Sequence, residues 1–312
     1  MPSPVIEEWK MDNKLTRKRK LKSPNRVVWL FLAPSFLFII VFNFIPLISA
    51  MTISTLDLTI FMKNISFEGA GNYIKVLSDL RFWNSLKNTM VFTLLEAPLQ
   101  IGLALIVASA IHQNTRFRRL MRSFYYIPVV CSMTAMGILW SILLDPTLGY
   151  YSFIFKIIGI DNALFLKSPS TAILWVVLIT VWKNFGLTMM ILIAGFQDIP
   201  YSYYEAAQID GASAGQSFRF ISLPLLKPSL AFCIITVIID CLKVFDQVYV
   251  MTQGGPLHST ETAVQYIYQK GFSIAPFNLG YASAAAEILF LIIAFVTYFL
   301  FRSLNRKEAV EY

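Results

Sequence analysis

Six apolar runs, each of about 20 residues or more, constrain this chain more than any other feature. They cover roughly Val27 to Ala50, Asn88 to Ile111, Ser123 to Leu144, Ser170 to Phe196, Ser229 to Thr252 and Leu279 to Phe301. A run of that length crosses a bilayer as a helix, and backbone in hydrocarbon satisfies its polar groups only within helices or closed barrels. With 56% hydrophobic and 14% charged residues in 312, a soluble domain would leave much of that apolar surface in water. The sequence therefore predicts an all-α polytopic membrane protein with six transmembrane helices in one domain, 27–303, between a basic tail, 1–26, and a short C-terminal tail, 304–312.

Charge orients the spans. Arg17, Lys18, Arg19, Lys20, Lys22 and Arg26 precede span one, Arg116, Arg118, Arg119 and Arg122 follow span two, and Arg302, Arg306 and Lys307 follow span six. Positive residues collect on the cytoplasmic side, and an even number of spans puts both termini there, together with the segment after span four. The net charge of +8 is thus an orientation signal and does not imply a nucleic-acid partner. Span one reads as an anchor, since no small-residue cleavage site follows it. Part of the tail before it could lie on anionic membrane lipid.

Several chemistries find no support. Cys131, Cys233 and Cys241 lie in apolar stretches without metal-ligand or disulfide spacing. His112 and His258 lack carboxylate or cysteine companions, so no metal site is expected. No phosphate-binding Gly-Lys-Ser/Thr loop occurs, so the chain cannot be its own nucleotide-binding subunit and is not expected to be an enzyme.

The polar segment 198–228, between spans four and five, carries the most specific pattern. Ser202 stands three residues before Glu205, and Ser213 three before Gln216, two capping-box spacings on either side of Gly211. The local expectation is a helix, a glycine turn and a second helix stopped by Pro224. Glu205, Ala206 and Ala207, then Gly211 after three residues, then Ile221, Leu223 and Pro224, resemble at every defined position the EAA loop of bacterial ABC-importer permeases. The string YYEAAQIDGA, which includes Asp210, is similar to the sugar-importing branch, as in maltose and glycerol-phosphate transporters. VFDQVYVMTQGGP, ending in a turn signal at Gly254–Pro256, resembles the first permease of the heterodimeric pair.

The resemblance implies a type I importer permease in the bacterial cytoplasmic membrane, multi-pass, with 198–228 as a cytoplasmic coupling helix. Its implied partners are a sister permease, a dimer of cytoplasmic ATPases that bind ATP and Mg2+, and an extracytoplasmic sugar-binding protein. No cofactor is expected on this chain itself. In the loop between spans one and two, about Leu56 to Lys87, a short interfacial helix is expected to lead into the core.

Ionisable groups within spans are costly and tend to face a cavity or one another. Trp182, Lys183, Asn184 and Phe185 lie near the middle of span four. Asp240 and Lys243 lie in span five, and three- or four-residue steps put them on one helix face with Asp246 or Gln247. One reading is a sugar pathway in which Trp182, Phe185 or Phe245 offers a flat surface to a pyranose ring; the other is a structural Asp240–Lys243 ion pair. The resemblance favours Trp182, Asn184 and Gln247 as pathway-lining and leaves Lys183 unassigned. Glu96 and Gln100 either face inward or are buried between helices. Ala282 to Ala286 reads as a packing face against another membrane helix, with Glu287 undecided. A neutral oligosaccharide is the favoured substrate. The alternatives are an anionic polyol such as glycerol phosphate, and a proton-coupled carrier using Asp240 and Glu96.

Overall fold

The computed structural model describes residues 26–61, 65–113, 115–157 and 164–304. The tails at 1–25 and 305–312 lie outside the described residues. The chain divides into two units, Met1–Thr52 and Ile53–Tyr312. The first contains α1 (Arg26–Ile39), a π-helical turn at Ile40–Phe44 and most of α2 (Ile45–Ser54). It is apolar all round, as a lipid-embedded helix is, with Phe38 and Phe42 packed ring to ring at 4.7 Å.

The second unit opens with two short antiparallel strands, β1 (Leu56–Asp57) and β2 (Ser66–Phe67), Leu56 opposite Phe67. Two helices follow, α3 (Gly71–Ser78) and the 32-residue α4 (Leu80–Ile111). After them come α5 (Arg116–Val130), α6 (Met133–Leu143), α7 (Tyr150–Ile157) and α8 (Ala172–Gln197). The polar segment folds as α9 (Tyr201–Ile209), α10 (Ala214–Ser217), a π-turn Phe218–Ser222 and α11 (Leu223–Leu225). Beyond it lie α12 (Lys227–Leu242), α13 (Asp246–Met251), α14 (Ala263–Tyr268), a π-turn Gln269–Ser273 and α15 (Leu279–Leu304).

Among the described residues, four helices are long and apolar enough to cross a membrane, and up to six spans result if each of two bent pairs counts as one. The core forms where α4 packs along α8, with α12 against both. Towards the α9 end it contains Ala104, Ala108, Met189, Leu192, Phe196 and Leu226. Towards the other end it contains Phe92, Val176, Val177, Val237, Val244 and Val248.

Three spans depart from the straight helices that the apolar runs predict. Span two begins at Leu80 rather than Asn88, because Phe82 and Ser85 in its added turns are buried within the chain. Span three bends by 89° between α5 and α6, at Cys131 (φ −70°, ψ 144°) and Ser132 (φ −59°, ψ 135°), whose extended backbone ends one helix before the next begins. Span five stops at Leu242, runs through Lys243 to Phe245 with Phe245 at φ −141° and ψ −62°, and restarts as α13. Lys243 and Asp246 therefore do not continue one helix face from Asp240.

The small-residue run forms a packing face, as its composition suggests. Ala282, Ala284 and Ala285 are buried within this chain, the latter two beside Val76, Phe82 and Tyr266. Their lack of bulk lets α15 approach α3 and the start of α4. Glu287 accepts a hydrogen bond from the Tyr73 hydroxyl.

At the same end a polar clasp joins α4, α14 and α15. Asp79 caps α4 by accepting from the Arg81 amide at 2.8 Å, and also accepts from Tyr266 at 2.7 Å, Tyr281 at 3.1 Å and Lys270 at 3.2 Å. Arg81 grips the fully buried Glu261 through two bonds, 2.8 and 2.5 Å. Partial burial pushes the Asp79 carboxyl upward, but hydrogen bonds from Tyr266, the Arg81 amide and Lys270 outweigh it and hold the group down at about 2.

A carboxylate whose folded pKa is depressed stabilises fully above its unfolded value and loses that contribution as pH falls through the folded one. Discounted for the solvent that screens a partly exposed group, the shift from 3.8 corresponds to about 1 kcal/mol. Asp79→Asn should therefore lower the melting temperature by a few degrees at pH 7, and the gap to the wild type should close between pH 4 and pH 2. A gap constant across that range would show that the Asp79 charge carries none of the stability.

Candidate functional site

The segment 198–228 turns on two different helix terminators. At the end of α9 the Ala212 amide donates to the Ala207 carbonyl at 2.9 Å and the Gly211 amide to Gln208 at 3.1 Å. This paired closure requires a left-handed residue after the cap, and Gly211 supplies it at φ +77°. A Cβ placed there would meet nothing within 4 Å. Ser213 then starts α10 with a complete capping box: its hydroxyl accepts from the Gln216 amide, and its own amide donates to Gln216 Oε1 at 2.8 Å.

Two local expectations are corrected. Ser202 does not cap α9, because Pro200 occupies the N-cap and places Ser202 one residue inside the helix. Pro224 does not stop the second helix. It sits in the first turn of α11, where a missing N–H is tolerated, and the chain turns at Leu226, with 67° between Ala214–Leu225 and Lys227–Leu242.

Glu205, Ala206, Asp210, Gly211 and Pro224 are exposed, whereas Ala207, Ile221 and Leu223 are half-buried. Tyr204 and Ser222 share a hydrogen bond of 2.9 Å that ties α9 to the following run. Leu226, 1% exposed, anchors the segment in the core. The outcome is a segment whose turn closes on its own backbone and which exposes polar and small residues together with Tyr201, Tyr203, Ile209 and Phe220.

Within the spans, Lys183, Asn184 and Asp240 line one cavity of about 390 Å³, together with Gln100, Thr188 and Thr236. The Gln100 amide donates to Thr188 Oγ1 at 2.9 Å, while its oxygen is buried without a protein partner among the described residues. Lys183 Nζ donates to the Val129 carbonyl at 3.4 Å, close to the break between α5 and α6. One cation and one carboxylate thus share the cavity without forming an ion pair among the described residues.

The other predicted pathway residues separate from this cavity. Phe185, 5% exposed, is a core residue against Tyr125. Trp182, 40% exposed, packs edge-on to Trp140 at 5.6 Å. Lys243, Asp246 and Gln247 lie at and beyond the helix break and do not line the cavity. Glu96, 2% exposed, accepts a hydrogen bond from Cys241 between α4 and α12, the buried alternative.

Phe245 belongs to a cluster the sequence reading missed. It stacks on Tyr249 at 5.2 Å, and Tyr268 packs against both and against Phe272. The four-residue spacing within each pair was visible, but their meeting across the chain was not. Gln100, Thr188 and Thr236 were missed as a set because isolated polar residues in apolar runs carry no spacing signal. Among the described residues no group of three or more His, Cys, Asp or Glu side chains could hold a metal ion.

The lactose transport system permease protein LacF of Rhizobium radiobacter is 32% identical over 285 residues, which cover 90% of this chain and 94% of that protein. The sn-glycerol-3-phosphate transport system permease protein UgpA of Agrobacterium fabrum is 33% identical over 288 residues, covering 91% and 97%. Among solved structures, a bacterial ABC transporter for import of the acidic polysaccharide alginate has the same fold, with a TM-score of 0.78 at 21% identity over 97% of this chain and 99% of that one. Residues 100–310 match the family described as binding-protein-dependent transport system inner membrane component. The chain belongs to that family: it is a multi-pass ABC-importer permease subunit without catalytic activity of its own.

Proposed function

We propose that this permease forms half of a two-permease pore that imports a neutral oligosaccharide. A dimer of cytoplasmic ATPases, holding ATP and Mg2+, supplies the energy, and an extracytoplasmic sugar-binding protein delivers the substrate. Both termini face the cytoplasm in this reading, as the basic residues beside spans two and six favour. Glu205 to Gly211 then seats against the ATPase, whose closure pulls on α9 and rotates the helices so that the cavity opens to alternate sides.

The observation that carries the substrate reading is the lining of the 390 Å³ cavity: two amides, two hydroxyls, one ammonium and one carboxylate. Amides and hydroxyls both donate and accept, which suits vicinal sugar hydroxyls. Asp240 offsets Lys183, whose ammonium is also directed to Val129, so the field is poorly matched to a phosphate. The named substrate of the UgpA relative makes glycerol 3-phosphate the runner-up.

Purification of the tagged chain in mild detergent should co-purify a second six-span permease and a P-loop ATPase. Recovery of the chain alone, active in liposomes without ATP, would falsify the importer mechanism and favour a secondary carrier. Within the assembled transporter, lactose or trehalose presented with its binding protein should stimulate ATP hydrolysis more than glycerol 3-phosphate; the reverse order makes the runner-up correct.

Gly211→Pro should reduce uptake at least about 100-fold with normal membrane insertion, because proline cannot take φ +77° or donate to Gln208. Wild-type uptake in that variant refutes the coupling role of the segment. Asp240→Asn should reduce substrate-stimulated hydrolysis about tenfold and affect the unstimulated rate much less, a loss of about 1.4 kcal/mol. An equal fall in both rates would instead mark Asp240 as structural.

A further inference from the structure

A cavity of about 1090 Å³ lies between α9 and the adjoining ends of α4 and α8. It is well separated in sequence and lining from the one around Asp240, and its size is at the upper end of small-molecule sites. His112 and Gln113 border it from the end of α4, Gln197 from α8, and Tyr201, Tyr204 and Gln208 from α9. Among the described residues, no carboxylate, ammonium or guanidinium contributes to its lining.

Two guanidiniums stand at its rim, each engaged by acceptors of the residues that border it. Arg122 donates to the carbonyls of Ile111, His112 and Gln113, and Arg118 to the Gln113 side-chain oxygen. The His112 ring stacks on Phe196 at 4.8 Å and directs Nδ1 to the Ser109 carbonyl at 2.8 Å, which makes Nδ1 the protonated nitrogen and leaves Nε2 as an acceptor. Both guanidiniums at the rim are already engaged, and among the described residues no carboxylate lines the space to receive a cation. A neutral ligand with many hydroxyls finds glutamine amides that donate and accept, with Tyr201 and Tyr204 beside them.

We infer that this cleft is a second carbohydrate site, for a neutral mono- or oligosaccharide arriving from the cytoplasm, in the space that movement of α9 against α4 and α8 would close. The inference rests on the cytoplasmic placement of segment 198–228 proposed above, but not on the identity of the mid-membrane cavity.

The test uses the full chain in lipid nanodiscs, with the exposed Cys131 replaced by serine and the exposed Gln208 replaced by cysteine. Alkylation of the new thiol by a maleimide is timed with glucose, lactose, maltose or trehalose at about 50 mM. At least one sugar should slow alkylation about threefold or more, glycerol 3-phosphate should not, and the combined Gln113→Ala and Gln197→Ala changes should remove the protection. Adding Asp240→Asn should leave it intact.

Four results overturn the inference: no protection by any of the four sugars, equal protection by glycerol 3-phosphate, protection that survives the double glutamine change, or protection lost in Asp240→Asn, which would move the binding to the mid-membrane cavity. Because the assay reads the cleft directly, its failure is distinct from failure of the importer reading, which Gly211→Pro and co-purification address.

Discussion

Carbonyls at a helix end or break near a membrane lose their partners in a medium that offers few others. At three such places among the described residues, specific side chains take their place. Arg122 gathers three carbonyls at the end of α4. Lys183 reaches the Val129 carbonyl beside the bend between α5 and α6. The Thr262 hydroxyl donates to Val244, inside the interruption of span five, at 2.9 Å. These bonds permit the bends, and the bends bring α13 against α6 and turn the polar segment out of the bundle. Polar residues within the spans therefore divide between those that support backbone and those that line a cavity, and Lys183 does both.

The same substitution of side chain for backbone partner explains why the α9 end and the clasp end differ. At the α9 end the backbone closes on itself through the Gly211 turn and the Ser213 box, so the exposed side chains remain available to a partner. At the other end the side chains are committed to one another: Arg81 to Glu261, and Tyr266, Tyr281 and Lys270 to Asp79. One end is a self-contained display and the other a closed network.

Much of this was legible in the sequence because it depends on local chemistry. Run length predicted spans, the capping-box spacings around Gly211 predicted a helix, a turn and a second helix, and Gly211 and Ser213 act as their residue types require. Apolarity, however, does not register a break: Lys243 to Phe245 sits in a run that reads as continuous span, and so do Cys131 and Ser132, where span three bends. Ser202 was misread because Pro200, two residues earlier, takes the cap first. Phe185 was misread because neighbours in sequence, Lys183 and Asn184, face a cavity while Phe185 faces Tyr125. The Arg81–Glu261 pair joins residues 180 positions apart, a distance over which no single-chain periodicity speaks.

The turn at Gly211 has one further consequence. Its surroundings are open, with no atom within 4 Å of an added Cβ, while its dihedral is left-handed. What the position demands is thus handedness and not smallness. A D-alanine, for which this dihedral is unstrained, would suit the backbone better than L-alanine, so the turn acts as a chiral filter.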